Sequence, residues 1–264
     1  MSHQLALEVA LLSDRGGRDY NEDACGHWRS DSQLCCVLAD GAGGHGGGDI
    51  ASKLIVRELI GLFAHKPSQD GPALGELLRQ TNELMCQQKA PGTIRQDMHS
   101  TVVSLVIDFN RASAHWAHVG DSRLYWFRHG ILQQRTKDHS LVQSLFDAGM
   151  LTQEQMQGHP QRSELRTAMG LPDESLEVDN GASLIGIEAG DVFLLCSDGL
   201  WEYVDDSLLE RSLTIAAEPA AWLDSLALEV KRLAGHKSSH DNFTALTVWV
   251  GGQTIVQESR HAYA

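Results

Sequence analysis

Leu34-Cys35-Cys36-Val37-Leu38-Ala39-Asp40-Gly41-Ala42-Gly43-Gly44-His45-Gly46-Gly47-Gly48 is the stretch on which the reading of this chain turns. Six residues without a charge run straight into an aspartate, which reads as a buried strand, Leu34 to Ala39, ending in a carboxylate. A lone Asp-Gly pair is an ordinary turn signal. Here six glycines fall within eight residues, and Ile50, Leu54, Ile55, Leu59, Leu62 and Phe63 follow at helical spacing. Glycines let backbone amides and carbonyls approach a ligand closely. The Gly41 carbonyl is therefore a candidate cation ligand beside Asp40.

Working outward, the same pattern returns. Asp198-Gly199 follows the apolar run Val192 to Cys196, Asp241-Asn242 precedes Phe243 to Val250, and Asn21-Glu22-Asp23 lies near the N-terminus. Carboxylates held at strand ends repel one another unless cations neutralise them. Hard divalent cations such as Mg²⁺ or Mn²⁺ take oxygen ligands of this kind. A metal-dependent hydrolase is the expected class.

The remaining elements set the fold class. Strands are expected at Leu5 to Leu12, Thr101 to Phe109, Ser113 to Val119, Arg123 to Arg128, near Ile131, Asp191 to Cys196 and Phe243 to Val250. Helices are expected at Ile50 to Phe63, Ala73 to Gln88, Asp138 to Gly149, from Thr152, and at Ala220 to Leu233. The strands come in meandering groups with paired long helices between them. That is α+β rather than a regular βαβ alternation, and two face-to-face sheets covered by helices would use every element. No linker or repeat divides the chain. Residues 1–250 are expected to form one domain and 251–264 a tail.

The formal net charge of -14, from 21 basic and 35 acidic residues, disfavours a nucleic-acid or anionic-membrane surface. Met1-Ser2-His3-Gln4 has no basic n-region and no apolar run approaches ~20 residues, so neither export nor membrane insertion is expected. Five cysteines without CxxC spacing read as reduced, mostly buried thiols of a cytoplasmic protein. Cys35 and Cys36, as strand neighbours, are expected to face opposite ways.

Seven segments carry a resemblance. They are Arg18-Asp19-Tyr20-Asn21-Glu22-Asp23, Asp40-Gly41-Ala42-Gly43-Gly44-His45, Val119-Gly120-Asp121-Ser122-Arg123, Asp138-His139-Ser140-Leu141-Val142, His159-Pro160, Ser197-Asp198-Gly199-Leu200-Trp201 and Asp241-Asn242-Phe243-Thr244. In content and order the chain resembles the PPM/PP2C metal-dependent protein serine/threonine phosphatases, especially the bacterial single-domain members. The resemblance implies an αββα sandwich of two antiparallel sheets with two Mn²⁺ or Mg²⁺ ions at one end, and attack of an activated water on phosphorus without a phospho-enzyme. By position, Asp40 bridges the ions, Asp198 and Asp241 complete one, and the Gly41 carbonyl serves the other. Asp23 or Glu22 holds that second ion directly or through water. Asp121, with Asp198, is implied for a third, weaker ion. Arg18 matches the phosphate-holding position, with Arg15 a nearby competitor. Residues 138–170 match a flap that borders the site. The implied partners are phosphoproteins and a cognate Ser/Thr kinase, with the protein a monomer. Eukaryotic relatives carry a histidine, and bacterial ones commonly a methionine, where this chain has Ala42. His45, three residues on, is expected to line the loop rather than act as general acid. His139 and His159 are expected to make local structural contacts.

Overall fold

A computed structural model describes residues 5–42, 46–68, 70–181, 184–235 and 240–251. The elements run β1 (Leu7–Asp14), β2 (Asp23–Arg29), β3 (Gln33–Ala42), α1 (Gly47–His65), α2 (Gly71–Gln87), β4 (His99–Ser100), β5 (Val102–Asp108), β6 (Ser113–Val119), β7 (Arg123–Arg128), β8 (Ile131–Arg135), α3 (Leu141–Asp147), α4 (Gln153–Gln157), β9 (Ile185–Gly186), β10 (Asp191–Cys196), α5 (Asp198–Trp201), α6 (Asp206–Ile215), α7 (Pro219–Ala234) and β11 (Phe243–Val250). One sheet has the order β1-β11-β10-β7-β8. The other has β2-β3-β5-β6-β9, with β4 added to β3. The pairings are antiparallel.

Strand side chains alternate between faces, and that alternation sorts the apolar residues into three layers. Cys35, Val37 and Ala39 of β3 pack with Ile55, Leu59 and Phe63 of α1 and Leu74 of α2. Leu34, Cys36 and Leu38 turn the other way, onto Phe193 and Leu195 of β10 and Leu246 and Val248 of β11. Val192, Leu194 and Cys196 face out of that middle layer, against Leu209 of α6 and Trp222, Leu226 and Val230 of α7. The result is helices, sheet, sheet, helices: the αββα sandwich. Each large apolar side chain buried in these layers contributes about 1.5–3 kcal/mol. The neighbours Cys35 and Cys36 do enter opposite layers, and all five cysteines are free thiols.

Differences from the sequence expectations have local causes. β1 begins two residues later than Leu5 and runs to Asp14, because its register against β11 ends at the pair Asp14↔Phe243. β2 was not foreseen: Gly26, His27 and Arg29 interrupt any apolar run, and it is an edge strand whose pairing with β3 supplies what its composition does not. β3 extends past Ala39 to Ala42, since Gly41 and Ala42 pair with Ser100 and His99 of β4. Asp40 thus stands within the strand, not after it. The helix expected from Asp138 begins at Leu141, where the Ser140 side chain accepts from the Gln143 amide. Thr152 and Gln155 do form a reciprocal cap on α4. The short helix α5 and the polar helix α6 were also not foreseen. His45 and residues 252–264 lie outside the described residues. Among the described residues, no helix is long and apolar enough to cross a membrane.

Candidate active site

One end of the sandwich gathers the carboxylates, and the strand registers say why. Asp23, the first residue of β2, pairs with Asp40 of β3. β10 ends at Cys196, opposite Ala245 near the start of β11, and Arg123 at the start of β7 pairs with Cys196. Val119, the last residue of β6, pairs with Val102. Asp121 lies in the connection between β6 and β7, which crosses between the sheets at this same end. Alternation then aims the side chains. In β3, Asp40 continues the series Leu34, Cys36, Leu38 that faces the opposite sheet. In β2, Asp23 shares the face of Cys25.

Hydrogen bonds fix the cluster. Ser197 Oγ donates to Asp23 Oδ2 at 2.8 Å and accepts the Thr244 amide at 2.9 Å. The Asp40 carbonyl accepts from Ser100 Oγ at 2.7 Å and from the Thr101 amide at 2.8 Å. Asn242 clamps the N-terminal loop onto β11. Its Oδ1 accepts the Glu22 amide at 2.8 Å, and its Nδ2 donates to the Arg15 and Tyr20 carbonyls at 2.8 and 3.0 Å. The Gly41 amide donates to the Glu22 carbonyl at 3.1 Å. A Cβ on Gly41 would meet that carbonyl oxygen at 2.7 Å, and one on Gly48 would meet Glu22 Oε1 at 2.5 Å. The glycines here allow a close approach that no side chain permits.

The electrostatics follow from crowding like charges in a poorly hydrated space. Burial, then the charges of Asp23, Asp198, Asp121 and Asp241, push the Asp40 carboxyl well above its ordinary range. Burial, then Asp121, Glu202, Asp241 and Asp23, do the same to Asp198. Asp23 is raised by burial, partly offset by the hydroxyls of Ser197 and Thr244. Burial and the Asp138 charge raise Asp121, with Arg123 opposing. Glu22 is raised by burial and by Asp241. Among the described residues, Glu22 Oε1 and Asp23 Oδ1 are buried without a hydrogen-bond partner. Oxygen-only donors, mutual repulsion and unpartnered buried oxygens are the surroundings that hard divalent cations complete.

Arg18 stands at the rim, its Nη2 2.7 Å from Asp241 Oδ2, with both side chains about half exposed. Arg15 instead reaches toward the Asp19 carbonyl, at 3.5 Å. Sequence reasoning missed the support beneath Asp121. Arg123 makes a two-pronged ion pair with Asp138 (2.8 and 2.7 Å). Its guanidinium lies 3.6 Å from the ring centroid of Trp201, whose Nε1 donates to the Asp121 carbonyl at 3.0 Å. The signal was present as Arg123, Asp138 and Trp201 within the quoted motifs, but spacing alone does not join them. His139 accepts the Gly120 amide on Nδ1 and stacks on His118, a structural contact as expected. Arg162, within residues 138–170, forms an ion pair with Glu202 and so ties that segment to the end of α5.

Two facing antiparallel sheets, helices outside and acidic side chains gathered at one end make an αββα sandwich with a candidate metal centre. The model of the protein phosphatase 2C family matches residues 13–234, and the chain belongs to that family. It is 37% identical over 228 residues to serine/threonine protein phosphatase PstP of Mycobacterium tuberculosis, covering 85% of this chain and 42% of that protein. The chain thus spans about two fifths of the length of that relative. It is 32% identical over 247 residues to protein phosphatase PhpP of Streptococcus pneumoniae, covering 92% of this chain and 97% of PhpP. A solved structure of the PstP catalytic domain in complex with 2 manganese ions superposes with a TM-score of 0.76 and 31% identity. It covers 94% of this chain and 100% of that one.

Proposed function

We propose that this chain is a metal-dependent protein serine/threonine phosphatase, removing phosphate from phosphoserine and phosphothreonine in proteins. The observation that carries the reading is the convergence of Asp23, Asp40, Asp198 and Asp241 at one end of the sandwich with Arg18 at its rim. In this reading Asp40 would help to hold two Mn²⁺ or Mg²⁺ ions, together with Asp198 and Asp241 on one side and the Gly41 carbonyl with Asp23 or Glu22 on the other. Asp121, with Asp198, offers a third, weaker position. When bound, the ions supply Lewis-acid activation of the attacking water and neutralise phosphoryl charge.

The chain's own residues supply positioning. Ser197 and Thr244 orient Asp23, and Ser100 and Thr101 lock the Asp40 backbone. Arg18 offers a planar fork that suits paired phosphate oxygens, and its exposed pairing with Asp241 is cheap to exchange for a substrate phosphate. Residues 138–170 border the mouth and select among phosphoproteins. The partner is a Ser/Thr kinase or its targets. The protein acts as a monomer, and its reduced thiols suit the cytoplasm. Turnover of a phosphothreonine peptide compared with that of a nucleoside monophosphate tests the substrate class. The peptide is expected to be strongly preferred, and preference for the nucleotide would replace this reading with a small-ester hydrolase.

A further inference from the structure

Beside the carboxylate cluster lies a cleft of about 670 Å³ that the chemistry at phosphorus does not use. Its apolar wall includes Ala24, Ile50 and Leu54, and its rim carries Lys53, Arg57 and Arg95. Lys53 and Arg57 stand four residues apart on α1 and so share a helix face. Arg95 comes from the loop after α2, which closes on the start of α1: a Cβ on Gly47 would lie 2.9 Å from the Ile94 carbonyl oxygen.

The inner end of the cleft adjoins the candidate metal ligands. Ala24 directly follows Asp23. Asp49, also in the lining, directly follows Gly48, whose backbone abuts the Glu22 carboxylate. A peptide whose phosphoresidue reaches the cluster therefore has its flanking residues within a few extended steps of the cleft.

The sign of the charge is the telling feature. On a chain of net charge -14, an acidic peptide is repelled by most of the surface. Here three cations gather around one apolar trough. Lys53 pairs with Asp49 and Arg57 with Glu58, but both cations are mostly exposed, at 61% and 62%, and exposed pairs yield readily to a competing carboxylate. The Arg95 guanidinium has no ion pair among the described residues.

We propose that this cleft docks an acidic segment of the phosphoprotein substrate. Its carboxylates meet Lys53, Arg57 and Arg95, and a neighbouring apolar side chain lies against Ala24, Ile50 and Leu54. The assignment rests on the phosphatase reading and narrows it to a substrate class.

The experiment uses phosphothreonine peptides of one length with Mn²⁺. A Glu-Glu pair is moved from four residues before the phosphothreonine to four after, with Ala-Ala and Lys-Lys sets beside it. Turnover of p-nitrophenyl phosphate is the reference. The expected result is one side on which Glu-Glu lowers KM by about 2- to 20-fold, since each exposed charge pair is worth a factor of about 1.5–5. The preference weakens as salt rises. In the double variant Arg57→Glu with Arg95→Glu the preference reverses toward Lys-Lys, while the ratio to p-nitrophenyl phosphate falls only for acidic peptides. Turnover of all peptides without regard to flanking charge overturns the docking site and leaves the phosphatase reading intact. So does an equal loss on p-nitrophenyl phosphate in the double variant, or a preference for a second phosphothreonine but not for Glu. No release from any peptide overturns both.

Discussion

Asp40 resists ionisation because of where it sits in β3: it is buried, its face turns toward the opposite sheet, and four other aspartates, Asp23, Asp198, Asp121 and Asp241, share that space. Removing its charge therefore has two opposite effects. Asp40→Asn is expected to raise the melting temperature in the presence of chelator, because a repelled carboxyl is gone, and to shrink the rise that Mn²⁺ gives the native chain. Thermal melts with EDTA and with Mn²⁺ read both, and an unchanged Mn²⁺ shift would remove Asp40 from the metal centre. Turnover in the same variant is expected to fall at least about 10²-fold. Arg18 is a different case. Losing its charge-assisted contact with a phosphate, worth about 1.5–3 kcal/mol, is expected to lower kcat/KM on phosphopeptide roughly 10- to 200-fold with metal affinity nearly unchanged. An unaltered kcat/KM would move the role to Arg15.

At the scale of elements, the β6–β7 connection, the segment before α3 and the helix α5 meet through Arg123. Its partner Asp138 is almost wholly buried. Arg123→Met leaves that charge unpaired and is expected to cost about 3–5 kcal/mol in urea unfolding. Adding Asp138→Leu is expected to restore most of it, and failure to recover would show that the stack on Trp201 matters more than the ion pair. This network marks where legibility stopped. β6, β7, β10 and β11 were readable to the residue, because each is a short apolar or aromatic run bounded by turn signals. Asp40, Asp198 and Asp241 stood out because each lies at the border of such a run. β2 was not, because an edge strand with Gly26 and His27 owes its extended form to its neighbour. α6 was not, because its apolar stripe is narrow and its cap, Asp205 accepting the Leu208 amide, resembles a turn in sequence. The Asn242 clamp joins residues 220 or more apart and leaves no local trace.

Over the whole molecule, burial of neutral histidines links stability to pH. Burial pushes His115 and His139 down to about 4, in each case against nearby acidic charge, and lowers His118 as well. Unfolded histidine takes its proton near pH 6.5, so between about 6.5 and 4 the unfolded chain binds more protons and stability falls as pH falls. Replacing His115 with Phe removes one such site. The native chain is expected to lose about 2 kcal/mol relative to His115→Phe between pH 7 and pH 5, and a gap independent of pH would contradict the neutral buried state.

The same sandwich that hides these histidines brings the carboxylates of both sheets to one mouth, and the phosphatase account depends on that convergence. Phosphate release from a phosphothreonine peptide, measured with Mn²⁺ and again after excess chelator, tests it most directly. The account requires turnover with Mn²⁺, its loss on chelation and its return when Mn²⁺ is restored. Undiminished release in excess chelator, or none with Mn²⁺ or Mg²⁺ in a folded protein, would contradict it.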